Sequence, residues 1–236
     1  MARPWLSIII PTYNEAGRLG PLVGALRALG AVAPEVEIIV ADGGSPDATT
    51  TEAMAAGAHI VQSPRRGRAA QLNFGAAAAR GAVLYFLHAD SYPPATLLAD
   101  LRRALAAGAG SGCYRLAFDD RHWFLRANAW FTRFDWDWLR FGDQSLFVRR
   151  EVFGQAGGFD ERLLLFEDQE IIPRLRRHGR FALLPGVVTT SARKYRDNGV
   201  YRLQFIFGLL CGLYRLGASP QRLARVYRRL VRPLKA

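Results

Sequence analysis

One apolar run that ends at a carboxylate constrains the fold of this chain more than any other feature. Val83–Leu87 lies between Gly81 and the tripeptide His88-Ala89-Asp90. A short continuous apolar run bounded by turn residues is typical of a strand that is buried on both faces. In open α/β sheets, ligands bind just beyond the carboxyl ends of the strands, which is where Asp90 falls.

Three further strands, each followed by a helix, are predicted before this one. Their order, β-α-β-α-β-α-β, predicts an α/β fold with a mostly parallel sheet, right-handed crossovers and helices on both faces. The predicted strands are Leu6–Ile10, Glu37–Ala41 and His59–Gln62, and the helices run from Leu19, from Ser45 (N-cap) with Pro46 in first position, and over Ala69–Arg80.

The second half of the chain is less regular. We expect a helix over Pro94–Ala107, strands over Cys113–Phe118 and Gln144–Val148, and a helix over Glu167–Arg177. Residues 121–141 are dense in aromatic side chains, including Trp138 and Phe141, most of which we expect in the core. No repeat or linker is present, so we expect one domain over residues 1–196 and a helical extension over 197–236.

Positive charge is concentrated in the second half of the chain. The 236 residues carry a net charge of +12, and the first 120 residues are balanced, with ten basic and ten acidic side chains. From Gly199 onward there are eight basic residues and no acidic one. This asymmetry predicts an anionic partner, either nucleic acid or phospholipid.

The cysteines and the N-terminus bear on location. Cys113 and Cys211 are far apart and in no metal-binding spacing, which favours a reducing compartment. The first residues run directly into a strand without a small-residue cleavage site, so a signal peptide is not expected. We therefore expect a cytoplasmic protein, with peripheral contact to the cytoplasmic face of a membrane as an option.

Polar groups follow three of the predicted strands. Thr12, Asn14 and Glu15 follow the first, Asp42 the second and Asp90 the fourth. Because these strand ends share one edge of a parallel sheet, the groups are expected to converge on one crevice. Crowded carboxylates repel each other unless a cation or ligand hydroxyls lie between them. The alternative is that each group merely caps the following helix.

Several segments together resemble family 2 glycosyltransferases of the GT-A fold, and more narrowly the small bacterial rSAM/selenodomain-associated transferases. The resemblance spans about residues 5–195. The segments that carry it, in chain order, are Pro11-Thr12-Tyr13-Asn14-Glu15, Ala41-Asp42-Gly43-Gly44-Ser45, His88-Ala89-Asp90, Gly142-Asp143-Gln144, Gly157-Gly158-Phe159 and Glu167-Asp168.

The resemblance implies a nucleoside-diphosphate sugar, with UDP or GDP, as the donor substrate. Backbone edges, a hydroxyl and carboxylates suit a polar base, and glycine followed by arginine suits a diphosphate. By resemblance the nucleoside pocket consists of Pro11, Thr12, Tyr13 and Glu15, Asp42 bonds the base or ribose, and Gly67, Arg68 and Gln71 lie on the phosphate side.

The same resemblance implies a divalent cation, Mn²⁺ or Mg²⁺, held by Asp90. Hard cations take oxygen ligands, so one carboxylate with two phosphate oxygens and water is sufficient. The chain departs from the commoner DxD pattern at His88, followed by Ala89. An imidazole at this position is able to contact ribose or Mn²⁺, and a core histidine is the alternative.

Asp168 is the candidate general base that takes the proton from the acceptor hydroxyl during an inverting sugar transfer. The alternative is that Glu167 and Asp168 are first-turn acids favoured by the helix dipole. Gly142, Asp143, Gln144 and Glu167 are expected on the acceptor side. The neighbouring Trp and Phe side chains are suited to hold a sugar or an isoprenoid.

The sequence therefore predicts a metal-assisted, inverting glycosyltransferase that acts on a hydroxyl of a lipid or other hydrophobic acceptor. One alternative is a non-catalytic nucleotide-sugar binding protein, which would neither hydrolyse nor transfer its donor. Another is a nucleotidyltransferase, which would want a glycine-rich loop with a lysine after the first strand, and Pro11–Glu15 is not such a loop.

The C-terminal segment predicts two helices. Twelve mostly apolar residues lie between Arg202 and Arg215, too few to span a bilayer. After Ser219-Pro220, apolar and arginine residues occupy opposite faces of a predicted helix, which suits an anionic membrane surface. Packing on the catalytic domain and a homodimer are the alternatives. Nucleic acid is not expected, because no known binding motif is present.

Overall fold

The computed structural model describes residues 3–30, 34–137, 140 and 142–232. Within these ranges, eight strands form one sheet in the order β3-β2-β1-β4-β7-β6-β8-β5. The strands are β1 (Leu6–Thr12), β2 (Val36–Asp42), β3 (His59–Gln62), β4 (Val83–Phe86), β5 (Ser91–Tyr92), β6 (Ala109–Phe118), β7 (Leu146–Arg149) and β8 (Arg180–Thr190).

Ten helices of the described chain surround the sheet. Five occur in the first part of the chain: α1 (Leu19–Ala28), α2 (Thr49–Ala55), α3 (Arg68–Ala78), α4 (Leu97–Ala106) and α5 (Trp123–Phe131). A 3₁₀ turn, Gly142–Gln144, then precedes α6 (Arg150–Gln155), α7 (Glu167–Arg177), α8 (Arg193–Asn198), α9 (Val200–Arg215) and α10 (Pro220–Leu230).

The predicted parallel unit is confirmed. Strands β3, β2, β1 and β4 are parallel neighbours, and Thr12 pairs with Asp42 at the ends of β1 and β2. Strand β7 is antiparallel to both β4 and β6, which makes the sheet mixed. Sequence patterns specify strands but not their partners, so this reversal was not predicted.

Two apolar cores cover the two faces of the sheet, because successive strand residues point to opposite sides. Ile8 and Ile10 of β1 belong to the core that includes α1 and α4, while Ile9 belongs to the core that includes α3 and α7. All three side chains are fully buried. The continuous apolar run in β1 is therefore a strand with helices on both sides.

Several predicted boundaries are wrong. The second helix begins at Thr49 and not after Ser45, because the Ser45 hydroxyl donates to Asp42 and accepts from the Asn14 amide instead of capping a helix. Helix α4 begins at Leu97, three residues later than predicted. Two strands also differ from their predicted bounds. Strand β6 begins at Ala109 and not at Cys113. Strand β7 covers Leu146–Arg149 and not Gln144–Val148, because Gln144 lies in the 3₁₀ turn.

The two C-terminal helices pack on each other. Leu203, Ile206 and Leu210 of α9 form a buried cluster with Leu223 of α10 and Val231. The apolar face predicted for α10 is confirmed, and it packs against α9. No helix of the described chain has the length and apolar character needed to cross a membrane.

The expectation that most aromatic side chains of residues 121–141 lie in the core is wrong for four of them. Trp123 is 65% exposed, and Trp130, Phe131 and Trp136 are between 44% and 47% exposed. Trp138 and Phe141 lie outside the described residues.

Candidate active site

The first turn of α3 connects the strand ends that carry the predicted site. Gln71 donates from its amide nitrogen to the carbonyls of Thr12 (2.7 Å) and Ala41 (2.8 Å), at the ends of β1 and β2. Three residues earlier, a guanidinium nitrogen of Arg68 lies 3.3 Å from Nε2 of His88, which follows β4. The predicted convergence of three strand ends is therefore present.

Asp42 organises the loop that follows β2. Its Oδ2 accepts from the amides of Gly44 (2.8 Å) and Ser45 (2.9 Å), and its Oδ1 accepts from the Ser45 hydroxyl at 2.5 Å. The Thr12 hydroxyl donates to Oδ1 at 3.4 Å. With its side chain fully buried, Asp42 satisfies the donors of its own loop.

The Pro11–Glu15 loop lies against this loop. The Asn14 amide donates to Ser45 at 3.0 Å, and Asn14 itself has a positive φ of 56°. The Tyr13 ring is 43% exposed and carries the Arg66 guanidinium 4.7 Å from its centroid. These loops present an exposed ring and backbone edges beside a rigid hydrogen-bonded turn.

Arg68 is the centre of an ion-pair cluster that joins distant parts of the chain. It follows Gly67, whose φ of +133° favours glycine. Its Nε donates to Glu167, and its Nη2 donates to Asp168 at 2.5 Å. The predicted phosphate-binding arginine and the predicted base are therefore direct partners.

His88 continues the cluster towards the predicted acceptor side. Its Nδ1 lies 3.1 Å from Oδ1 of Asp143, and its Nε2 faces Arg68. Because guanidinium nitrogens only donate, in the neutral imidazole Nε2 accepts and Nδ1 carries the proton shared with Asp143. Both ring nitrogens are engaged, so His88 is a linking residue in this structure and does not offer a free nitrogen to a cation.

Burial and neighbouring charges shift the pKa values of the cluster in different directions. Burial raises the pKa of Asp168 to about 6, with Arg68 opposing and Glu167 adding to the increase. Burial also raises the pKa of Asp143, but the hydrogen bond and charge of His88, with Lys194 and Arg68, outweigh it and lower the value to about 2. The pKa of Asp168 thus approaches neutrality, whereas that of Asp143 lies well below it.

His88 and Arg68 respond to the same charges. Burial and Arg68 lower the pKa of His88, yet the hydrogen bond and charge of Asp143 raise it above its ordinary value. For Arg68, burial lowers the pKa, but the charges of Asp168 and Glu167 outweigh burial and raise the pKa above its ordinary value. The guanidinium therefore stays charged.

Glu167 and Asp168 open α7, and the residue before them is held in an unusual conformation. Phe166 has a φ of 68°, which costs a non-glycine residue about 1–2 kcal/mol. Its ring stacks on Tyr214 of α9 with centroids 4.9 Å apart. Glu167 is buried, and its second carboxylate oxygen has no hydrogen-bond partner among the described residues.

Asp90 differs from these acids because its carboxylate has no hydrogen bond or ion pair within the described ranges. It is half-buried beyond β4, after the buried Ala89, and its carbonyl accepts from the Ser191 amide at 3.1 Å. No group of three or more His, Cys, Asp or Glu side chains in the described chain is arranged to hold a metal ion. An unpaired carboxylate at this edge fits a cation that takes its other ligands from a bound phosphate and water.

The Gly142–Gln144 turn has two different roles. Asp143 faces His88, as described above, whereas Gln144 is fully buried and donates to the Tyr114 carbonyl of β6 at 3.0 Å. Gln144 therefore fixes the turn, and Asp143 is the side chain that this turn delivers to the cluster.

The sequence did not predict that helix α8 places side chains beside the site. Arg193 lies 3.6 Å from Glu15, which also pairs with Arg18. The charge of Lys194 is one of the causes that lower the pKa of Asp143, and burial together with Asp143 raises the pKa of Tyr195. The only signal for these residues is a basic-aromatic run at the end of the resemblance, which does not indicate where it packs.

A mixed α/β sheet with polar loops at the ends of β1, β2 and β4 is the GT-A class of fold. The family model "Glycosyl transferase family 2" matches residues 7–159. The chain therefore belongs to glycosyl transferase family 2. The narrower resemblance to the small bacterial transferases named above stays a prediction.

A protein of succinoglycan biosynthesis is similar to this chain. The succinoglycan biosynthesis protein ExoA of Rhizobium meliloti is 27% identical over 194 residues, which cover 73% of this chain and 58% of ExoA. The chain thus spans little more than half the length of this relative.

Two solved structures share the fold. The mannosyltransferase PcManGT of Pyrobaculum calidifontis, in complex with GDP-Man and Mn²⁺, superposes with a TM-score of 0.72 at 20% identity, covering 92% of this chain and 65% of that one. Glucosyl-3-phosphoglycerate synthase of Mycobacterium tuberculosis, with Mn²⁺, UDP and phosphoglyceric acid, gives 0.61 at 20% identity, covering 92% and 79%.

Proposed function

We propose that this chain is an inverting glycosyltransferase that moves a sugar from a UDP- or GDP-sugar to an acceptor hydroxyl with the help of a divalent cation. The observation that carries the proposal is the Arg68 cluster, which joins the side chain predicted to bind phosphate to a carboxylate of raised pKa at the sheet edge. The family membership and the ligands named for the two solved structures support the donor class.

The donor nucleoside would lie on Pro11, Thr12, Tyr13 and Glu15. The exposed Tyr13 ring offers a stacking surface. Asp42 and Gln71 are hydrogen-bonded within the protein, so their main contribution is to hold these loops in place for the donor.

The diphosphate would lie between Gly67-Arg68 and Asp90. Arg68 presents forked donors that match phosphate oxygens. Asp90, beside His88 and Ala89, is the residue that would hold Mn²⁺ or Mg²⁺ together with the phosphates. A divalent cation there would stabilise negative charge on the departing nucleoside diphosphate.

Asp168 would accept the proton of the attacking hydroxyl. A base is most effective when its pKa lies near the working pH, and burial raises that of Asp168 to about 6. Before the donor binds, Arg68 holds this carboxylate. A diphosphate that attracts Arg68 would free Asp168 for the acceptor, so donor binding prepares the base.

The acceptor side would be formed by Gly142, Asp143, Gln144 and Glu167. The unpartnered oxygen of the buried Glu167 is an acceptor available for a sugar or acceptor hydroxyl. A lipid or other hydrophobic acceptor fits the exposed aromatic side chains of α5.

We also propose that residues 197–236 are a helical extension that contacts the cytoplasmic face of an anionic membrane. The apolar face of α10 is buried, so a different face must make this contact. Along α9, Tyr201, Phe205, Leu209 and the following Leu216 lie on one side of the helix, and all are exposed. We name these four residues the α9 stripe.

The membrane contact is tested by sedimentation with phosphatidylglycerol vesicles. Phe205→Ser should weaken binding, whereas Met54→Ser, which removes an exposed side chain outside the stripe, should not. Equal binding of both variants and the wild type would contradict the contact. A wild type that forms dimers through the stripe and ignores vesicles would favour a homodimer.

The transfer proposal is tested with UDP- and GDP-sugars with and without Mn²⁺, first by thermal shift and then by analysis of the product. We expect one nucleotide class to stabilise the protein more with Mn²⁺, and the product to have the opposite anomeric configuration to the donor. Binding without hydrolysis or transfer for any donor and acceptor would indicate a non-catalytic binding protein.

A further inference from the structure

A cleft of about 670 Å³ lies between α5 and the C-terminal half of β6, outside the Arg68 cluster. Four arginines line it: Arg115 from β6, and Arg121, Arg126 and Arg133 from α5 and the residues flanking it. None of these arginines takes part in the donor binding or in the proton transfer proposed above.

The four arginines have no acidic partner within the described ranges. Nε of Arg115 is buried without a hydrogen-bond partner. Asp120 is the acid that lines the cleft, and its carboxylate is bonded to Arg196 at 3.2 Å and to the His122 amide at 2.9 Å. The residues outside the described ranges include no Asp or Glu. The cleft therefore carries four guanidinium charges that form no ion pair within the described residues.

The walls between the arginines are apolar. Trp130, Phe118 and Val187 line the same cleft, and the Arg133 guanidinium lies 4.4 Å from the centroid of the Trp130 ring. Trp130 is 47% exposed and Val187 is 40% exposed. An anion with an apolar group attached would satisfy both kinds of wall, since burying the apolar part is favourable in its own right.

We propose that this cleft, the α5–β6 cleft, binds a phosphate-bearing ligand that also carries an apolar group. Guanidinium groups bind phosphate oxygens through paired, charge-assisted hydrogen bonds, and several converging arginines favour a multiply charged phosphate. The orphan Nε of Arg115 is a donor that such an oxygen would satisfy.

The position of the cleft leaves two sources of this chemistry. The Phe118 ring lies 5.4 Å from the ring of Tyr195 on α8, the helix whose Arg193 lies 3.6 Å from Glu15. A phosphate-bearing acceptor bound here would therefore lie next to a helix that also contacts the predicted nucleoside pocket. A phospholipid headgroup is the other source. Only the acceptor source rests on the proposed function; binding in the cleft does not.

The test measures octyl phosphate binding to the full chain by calorimetry, below the micelle concentration of the ligand and without any sugar donor. Arg121 and Arg126 are exposed and unpaired, so the double variant Arg121→Gln, Arg126→Gln should fold normally, which an unchanged Tm verifies. Arg225→Gln with Arg229→Gln is the control, because it removes the same charge from exposed positions of α10.

We expect saturable binding to the wild type, about tenfold or more weaker binding to the cleft variant, and a change under about twofold in the control. Inorganic phosphate should compete poorly because it lacks the apolar group. Equal weakening in both variants would mean general attraction of an anion to a basic protein and would overturn the proposal. Absence of saturable binding to the wild type would overturn it as well.

A second arm separates the sources. If phosphatidylglycerol vesicles compete with octyl phosphate in the wild type, the site accepts a lipid headgroup. If they do not compete, the ligand is a soluble phosphate ester, and such a molecule should then be tried as acceptor. Both outcomes support the site, and neither depends on whether the sugar transfer assay succeeds.

Discussion

Two carboxylates at this sheet edge, Asp42 and Asp168, are held in different ways. Asp42 accepts hydrogen bonds from hydroxyls and amides of its own loop and of the adjoining loop, all from residues at most 30 positions away in the sequence. Asp168 is held by the guanidinium of Arg68, which lies 100 residues away in the sequence. The hydrogen-bond partners of Asp42 are neutral groups of two adjoining loops. The partner of Asp168 is a charged guanidinium, which another anion is able to attract.

Under the proposed function, Asp42 is a structural acid and Asp168 is the reactive one. Neutral donors fixed in a turn hold the Asp42 side chain in place, so its removal should cost stability. Asp168 is balanced between burial, which raises its pKa, and Arg68, which opposes that increase. A carboxylate balanced in this way changes its protonation and its partner at low cost, so its removal should cost activity.

The largest expected effect is on Asp168. Asp168→Asn should lower the transfer rate by about 10²–10⁴-fold, because a positioned base contributes that much, while donor affinity stays within a few-fold. The measurement is the initial rate and the donor Kd of the same preparation. Glu170→Gln, in the same first helical turn, is the control and should retain activity. Equal loss of rate and donor binding would contradict the base role.

The second prediction concerns Asp42. Asp42→Ala should lower the free energy of unfolding by about 1–3 kcal/mol, because the amides of Gly44 and Ser45 and the Ser45 hydroxyl lose their hydrogen bonds to this buried side chain. Urea denaturation measures this change. If Asp42→Ala leaves stability intact and Asp168→Asn lowers it, the contrast between the two acids is wrong.

A smaller effect is expected for Arg68→Gln on the pH dependence of kcat/KM. Protonation of Asp168 below its pKa of about 6 should lower the rate on the acid side. Arg68 opposes the rise of that pKa, so its removal should move the acid limb to higher pH. A pH profile of both proteins checks the direction. A limb that moves to lower pH would contradict the assignment of Asp168 as base.

The smallest expected effect comes from the helix behind the site. Tyr214→Ala removes the stacking on Phe166, which is worth about 0.5–1.5 kcal/mol, and should loosen the start of α7. We expect kcat to fall a few-fold with little change in donor KM, as measured by steady-state kinetics. An unchanged kcat would mean that α9 does not support the site.

The same contrast explains what could be predicted from the sequence. Asp42 and Asp90 follow apolar strands closely. Their position at one edge of the sheet could therefore be predicted from the apolar runs and from the parallel order of the strands. The Arg68–Asp168 pair could not be predicted, because it depends on how α3 and α7 meet across the sheet. A motif resemblance named both residues but gave them separate roles.

Two further errors have the same origin. Ser45 and Pro46 are a good local signal for a helix start, yet Ser45 bonds to Asn14 in a neighbouring loop and the helix begins at Thr49. The aromatic residues of α5 were expected in the core by composition, but Trp123 and Trp130 are exposed. In each case a tertiary contact, or the lack of one, overrides the local preference.

The most direct test of the account is a donor titration of wild type and Asp90→Ala with and without Mn²⁺. Asp160→Ala, which removes a carboxylate paired with Arg162 on the surface, is the control. We predict that Mn²⁺ tightens donor binding in the wild type and the control and has no effect in Asp90→Ala. An equal Mn²⁺ effect in all three proteins would contradict a donor site built on this edge of the sheet.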